Sequence, residues 1–170
     1  MSEVIDLIQQ IINEHTTILG GVMNVEKSVN DVKLMAAFGE TEREITSFRL
    51  EQSDGLRKLQ DGLENLLSQV RAHFNREETT LLTAFRNHGD EKTMQTFQSL
   101  LTEHEQLRNQ IVYCKLHLDK MTDILLSYEQ RSKAAKELQQ EINKTSSMLE
   151  QHAGREQMLF NVLLDELKKG

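Results

Sequence analysis

Apolar residues recur along this chain at alternating intervals of three and four, the pattern of helices that each bury one face. The first run is Val4, Ile8, Ile11, His15, Ile18, Val22, Val25, Val29 and Val32, which predicts a helix from about Glu3 to Phe38, closed by Gly39. Gly20 and Gly21 fall inside it, each costing about 1 kcal/mol against Ala in a helix interior. They point either to close packing of a neighbouring helix or to a loosened segment beside the seam.

The second run is Leu56, Leu59, Leu63, Leu66, Val70, His73, Glu77, Thr80 and Ala84, ending near Asn87-His88-Gly89. It has two candidate starts, a capping box at Thr41-x-x-Glu44 and the breaker sequence Ser53-Asp54-Gly55. Asp90 is a good N-cap for the third run: Phe97, Leu100, His104, Leu107, Ile111, Cys114, Leu118, Met121, Leu125 and Tyr128. The fourth comprises Leu138, Ile142, Thr145, Leu149, His152, Glu156, Leu159 and Leu163. A turn is placed between Ser127 and Ser132, because one helix of about 75 residues lies far outside the usual range of lengths. Four amphipathic helices joined by short loops predict an all-α, up-down-up-down four-helix bundle, one domain over residues 1–170.

Each seam contains residues that do not belong in an apolar core: His15 in the first, His73 and Glu77 in the second, His104 in the third, His152 and Glu156 in the fourth. The paired residues sit in a repeated H-x-x-R-E motif, His73 to Glu77 and His152 to Glu156. Four-residue spacing puts the two side chains one turn apart on the same helix face. The repeat makes the chain two passes of one pattern, H…HxxxE then H…HxxxE. Counted from the turn near residue 89, the His73/Glu77 pair and His104 both lie roughly 20 Å along their helices at 1.5 Å per residue. From the turn near residue 130, His104 and the His152/Glu156 pair agree equally well. His15 and His73 reach one level only if residues 40–52 form an inserted short helix or excursion and the second helix proper starts near Ser53.

A lone histidine in an apolar seam is more often a satisfied core residue than a ligand. Here four seams carry metal-binding side chains at one level. Without a cation, two buried carboxylates lack a full set of partners, at a cost of several kcal/mol. Nitrogen and oxygen donors with no thiolate suit iron, manganese or zinc, and six are too many for one tetrahedral zinc. They suit two metals about 3.5–4 Å apart, with Glu77 and Glu156 as bridges and the histidines as terminal ligands, two per metal. A solvent-derived oxygen would form a third bridge, and positions left open would admit a small exogenous molecule.

Composition narrows the field. The chain has no Pro or Trp, only 8 Gly, and a formal net charge of −7, which argues against a nucleic-acid surface and an anionic membrane. No apolar run reaches the roughly 20 residues of a membrane span. The N-terminus opens as an amphipathic helix with an acid at position 3, unlike a signal peptide, so a cytoplasmic location is expected. The single cysteine, Cys114, excludes an intrachain disulfide and a cysteine-ligated iron–sulfur cluster, and its seam position makes it a buried hydrophobe. There is no glycine-rich phosphate loop and no nucleophile–base pair. His88 is expected to be solvated and His117 to lie at a seam margin. Arg76 and Arg155 repeat with the motif and could support its ligands, but read first as solvated arginines beside a glutamate; Glu14, Glu78, Glu103 and Glu105 could draw cations by their charge, but read first as ordinary solvated faces.

The ordered motif H…HxxxE…H…HxxxE resembles the hemerythrin-like, or HHE cation-binding, domains over essentially the whole chain. The resemblance implies a non-haem di-iron centre, two iron ions with an oxo or hydroxo bridge, ligated by His15, His73, Glu77, His104, His152 and Glu156. Oxygen-carrying hemerythrins have a second histidine where this chain has Arg108, and end in HxxxxD where it has HxxxE, which argues against stable reversible oxygen carriage. The four-His, two-Glu set is more similar to bacterial iron–sulfur-cluster repair proteins of nitrosative stress and to the eukaryotic iron- and oxygen-sensing HHE domain. This similarity implies a protein that handles O2, NO or iron in oxidative or nitrosative stress. The alternatives are a di-iron enzyme reducing NO or disproportionating peroxide, and a sensor that acts through a protein partner.

Overall fold

The computed structural model describes residues 2–31, 45–123 and 125–169, with 45–53 described by their backbone alone. Helix α1 (Ser2–Val29) buries Ile8, Ile11, His15, Ile18, Val22, Val25 and Val29 in the predicted register; Val4 is half-buried, and Val32 lies outside the described residues. It ends earlier than Phe38. Asn30 forms a turn whose side chain is bound to Asn143 and Gln139 at 3.1 and 3.0 Å. The predicted stop at Gly39 and the capping box at Thr41 lie outside the described residues.

Helix α2 (Ile45–Arg76) runs unbroken through Ser53-Asp54-Gly55, so the expected start there is not used. The surplus length is carried by α2 itself from Ile45 onward, in place of a separate excursion reaching Gln52. A π-helical turn (Glu77–Leu81) follows, then α3 (Leu82–His88), which stops where Gly89 turns extended. The π turn inserts one residue into the seam, so Leu81 is buried and Thr80, expected inside, faces out. Asp90 caps α4 (Glu91–Leu101) as predicted, its carboxylate accepting from the Thr93 backbone N–H at 2.6 Å.

A short break at Thr102 and Glu103 separates α4 from α5 (His104–Thr122). Helix α6 (Tyr128–Lys169) begins after a connection that lies several residues before the predicted turn. Ser127 and Gln130 form a reciprocal capping box, Ser127 Oγ accepting from the Gln130 N–H and Gln130 Oε1 from the Ser127 N–H. Because α5 ends at Thr122, the last two expected seam residues, Leu125 and Tyr128, are exposed. His117 is buried, not marginal; its ring meets Tyr113 edge-on and its Nδ1 lies 3.4 Å from Glu137.

Helix α1 packs on α2 and α6, and α5 on the same two, which closes an all-α four-helix bundle with no strand among the described residues. The core is layered along the bundle. One end packs Ile8, Ile11, Leu81, Phe85, Phe97, Phe160 and Leu163; the other packs Val25, Val29, Leu59, Leu63, Met121 and Leu138. Ile18, Val22, Leu66, Val70, Phe74, Ile111 and Leu149 lie between. The buried histidines and glutamates form a polar layer where this middle cluster meets the phenylalanine-rich end.

Among the described glycines, the tight contact with a neighbouring helix is not at the predicted pair. A Cβ on Gly20 would meet nothing within 4 Å and one on Gly21 only ordinary contacts, whereas one on Gly62 would lie 3.0 Å from Val25. Gly20→Ala is therefore expected to stabilise the protein by about 1 kcal/mol, raising Tm by roughly 2–4 °C, while Gly62→Ala gains less or loses stability. Thermal unfolding of the two variants checks this.

Candidate metal centre

All six predicted ligands are buried: His15, His73, Glu77, His104, His152 and Glu156. Four helices and the π turn deliver them to one level. The rings of His15 and His73 lie edge to face at 4.8 Å, and those of His104 and His152 at 5.0 Å. The two carboxylates lie between these pairs. Glu77 Oε1 is 3.1 Å from His73 Nε2 and 3.7 Å from His15 Nε2, while its Oε2 is 3.2 Å from His104 Nε2. Glu156 mirrors this, with Oε2 3.1 Å from His15 Nε2 and Oε1 2.8 and 3.4 Å from the Nε2 atoms of His152 and His104. Each carboxylate therefore offers one oxygen to each histidine pair.

Two overlapping donor groups result, His15–His73–Glu77–Glu156 and Glu77–His104–His152–Glu156, the ligand atoms of each lying within 4.8 Å of one another. Neither oxygen of Glu77 completes a hydrogen bond, despite three nearby imidazoles. Buried carboxylate oxygens are rarely left so. A nitrogen–oxygen donor set with orphaned carboxylate oxygens at its centre is suited to a hard or borderline cation.

The outer arrangement differs from what the sequence suggested. Glu14, Glu78 and Glu103 are not idle solvated residues: each accepts from the Nδ1 side of a histidine at 2.9 Å, Glu14 from His73, Glu78 from His104 and Glu103 from His152. Each of these glutamates is in turn gripped by an arginine, Arg76 on Glu14 at 2.8 Å, Arg108 on Glu78 at 2.8 Å and Arg155 on Glu103 at 2.6 Å. Such carboxylates fix which ring nitrogen carries the proton and aim the other at the centre. The arginines and histidines outweigh partial burial and keep all three carboxyls below their usual range. Only Glu105 behaves as expected, an exposed residue.

Sequence reasoning also passed over Phe74 and Phe160. Phe74 stacks on His104 with ring centroids 3.7 Å apart and meets His152 edge-on, while Phe160 stacks on His15 at 5.9 Å. The irregular backbone serves this geometry. The π turn begins at Glu77, so Glu77 points inward while Glu78 reaches across to His104. The break at Thr102–Glu103 likewise brings Glu103 to His152 beside His104. His88 is solvent-exposed, and Cys114 is buried against Thr145 at 3.5 Å, with burial pushing its thiol up to about 11.

The charge balance of the metal-free layer is specific. Burial pulls the His15 and His104 imidazoles down, but the adjoining Glu156 and Glu77 carboxylates outweigh it and raise both to about 9. Burial and mutual repulsion work against ionised Glu77, and burial against Glu156, yet the surrounding imidazoles hold both below the usual carboxylate range. With no cation bound, two carboxylates would thus face two imidazoliums at neutral pH. The histidine contribution to stability is fully present below their usual 6.5 and is lost as pH rises through about 9; the glutamate contribution is present above the usual 4.5 and is lost on acidification below it. Metal-free protein is expected to show its highest Tm between about pH 4.5 and 6.5, and calorimetry from about pH 3 to 10 checks it.

Among the described residues no helix is long and apolar enough to cross a membrane. A family model, the hemerythrin HHE cation binding domain, matches residues 6–164. No curated protein and no solved structure matches the chain. With nearly its full length covered, and with buried His/Glu groups able to hold cations at the bundle's centre, the chain belongs to the hemerythrin HHE cation-binding family.

Proposed function

We propose that His15, His73, Glu77, His104, His152 and Glu156 ligate a non-haem pair of iron ions, and that the protein handles a diatomic gas or iron itself under oxidative or nitrosative stress. The observation that carries this reading is the sharing of Glu77 and Glu156 between two histidine pairs, one oxygen of each carboxylate toward each pair. A bound iron pair would supply reversible redox chemistry and open positions for O2, NO or peroxide.

The chain's own residues set the conditions. Glu14, Glu78 and Glu103 hold three imidazoles with Nε2 turned inward. Ile18, Leu19, Val70, Phe74, Leu149 and Ala153 wall an apolar void of about 10 Å³ against His15, His73, His152 and Glu156. That is room for about one water-sized guest, and its lining favours an apolar one. This supports a diatomic over a larger substrate.

Metal requires neutral imidazole, so uptake at pH 7 is expected to expel about two protons, from His15 and His104, and apparent affinity should climb with pH up to about 9. Calorimetric titration in buffers of different ionisation enthalpy reads the proton count; heats independent of buffer would contradict it. The functional reading itself is tested by titrating the reduced, iron-loaded protein with NO and with O2 without other oxidants. Saturable spectral change near one diatomic per iron pair is expected. Slower binding in Leu149→Trp, which fills the void, would tie the event to that cavity. No response to either gas, with peroxide turned over rapidly, would favour the enzyme.

A further inference from the structure

Three of the four inward-facing histidines have a carboxylate behind them. His15 does not. Its Nε2 faces Glu156, but its Nδ1 is buried and, among the described residues, meets no hydrogen-bond partner. Its ring is positioned instead by stacking on Phe160, with centroids 5.9 Å apart and planes 18° apart.

The internal repeat shows where the missing support would stand. Glu14 and Arg76 serve His73 as Glu103 and Arg155 serve His152, and the two sets occupy matching places: a Glu just before one His, an Arg three after the next. His104 has a further carboxylate in Glu78, the residue after Glu77, clamped by Arg108 four residues beyond His104. The matching places in the other pass are Gln157, after Glu156, and Leu19, four beyond His15. Neither can supply a clamped carboxylate. Helix α6 also stays α-helical past Glu156, with no counterpart of the π turn that carries Glu78 to His104.

Resting on the two-metal reading, we infer that the two metal positions are unequal. The position at His104 and His152 holds its ion tightly, and the position at His15 and His73 fills last and empties first. A carboxylate on the non-ligating nitrogen fixes tautomer and ring orientation and raises the basicity of the other nitrogen; its removal typically costs about 10–100-fold in metal affinity. Both histidines of the first position have that support, and only one of the second. The chain then has a one-ion and a two-ion form, with the exchangeable ion on the α1 side. Such a division suits a protein that releases iron as well as meeting a gas.

The test uses full-length metal-free protein titrated anaerobically with cobalt(II), followed by visible absorption, and then a challenge of the saturated protein with excess EDTA. Two binding steps about 10–100-fold apart are expected, and one equivalent should leave well before the other. His15→Ala should retain one slowly released ion, and His152→Ala one that is lost quickly. Glu78→Gln should weaken the tight step and narrow the gap. Two equivalents that bind and leave with equal constants would overturn the inference while leaving the two-metal reading intact. Fewer than two ions at saturation would overturn both. Should the histidine variants fail to fold by circular dichroism, the EDTA time course of the unmodified protein decides the matter alone.

Discussion

Glu77→Ala and Glu156→Ala are each expected to abolish binding of the metal pair, leaving at most one weakly held ion, while His88→Ala leaves loading unchanged. Glu77 and Glu156 are the two residues common to both donor groups, so either substitution removes a ligand from both positions at once. A histidine substitution removes a ligand from one position only. Glu77→Gln separates charge from shape: it keeps the volume of a side chain that is wholly buried but not the negative charge that the proposed pair of cations would share. In the metal-free state the same substitution removes one of the two carboxylates that hold His15 and His104 protonated, so proton release on loading should fall below two. Elemental analysis of the three alanine variants, with circular dichroism to verify folding, reads the result. Equal metal content in all three would overturn the ligand assignment.

The second large effect lies outside the six. Glu103→Gln is expected to weaken metal binding by about 10–100-fold, and Glu105→Gln not at all. The two glutamates flank His104 in sequence and look equivalent there. In the fold, Glu103 accepts from His152 Nδ1 at 2.9 Å and is gripped by both terminal nitrogens of Arg155, at 2.6 and 2.7 Å, whereas Glu105 is exposed. Arg155→Ala should cost less than Glu103→Gln, because an arginine half open to water is a weak electrostatic partner and its loss leaves the Glu–His bond in place. Competition against a chromophoric chelator measures all three variants. An unchanged affinity in Glu103→Gln would mean that His152 is oriented by packing on Phe74 alone.

Much of this architecture is written in the seam. The spacing of Val, Ile and Leu along α1, α2, α5 and α6 sets which face is buried, and the same spacing exposes His15, His73, Glu77, His104, His152 and Glu156 as polar intruders at one level. The carboxylate clamps were illegible for a physical reason. Spacing along a helix reports neighbours on that helix, and Glu14–His73, Glu78–His104 and Glu103–His152 all cross between helices. One trace was available: the Glu-His and H-x-x-R-E pieces repeat together, and an unselected solvated arginine has no cause to repeat with them.

The π turn left a trace as well. His73, Glu77, Leu81 and Phe85 are spaced by four throughout, a period that drifts off one face of a 3.6-residue helix and is restored by a wider turn. The last connection carries a signal of its own, since Ser127-Tyr128-Glu129-Gln130 is a capping-box sequence that starts the helix at Tyr128. The metal's identity is not legible in the same way. Imidazole and carboxylate donors serve iron, manganese and zinc alike, so the choice rests on coordination chemistry and supply more than on residue type.

The most direct test of the account is the metal content of protein purified without oxygen, with absorption spectra recorded before and after air is admitted. Two irons per chain are expected, with new near-ultraviolet bands of a coupled ferric pair once oxygen enters. No metal, or a single zinc, in a bundle that is still well folded would contradict it: the six buried residues would then be a structural hydrogen-bonded layer, and the shared carboxylates would bridge nothing.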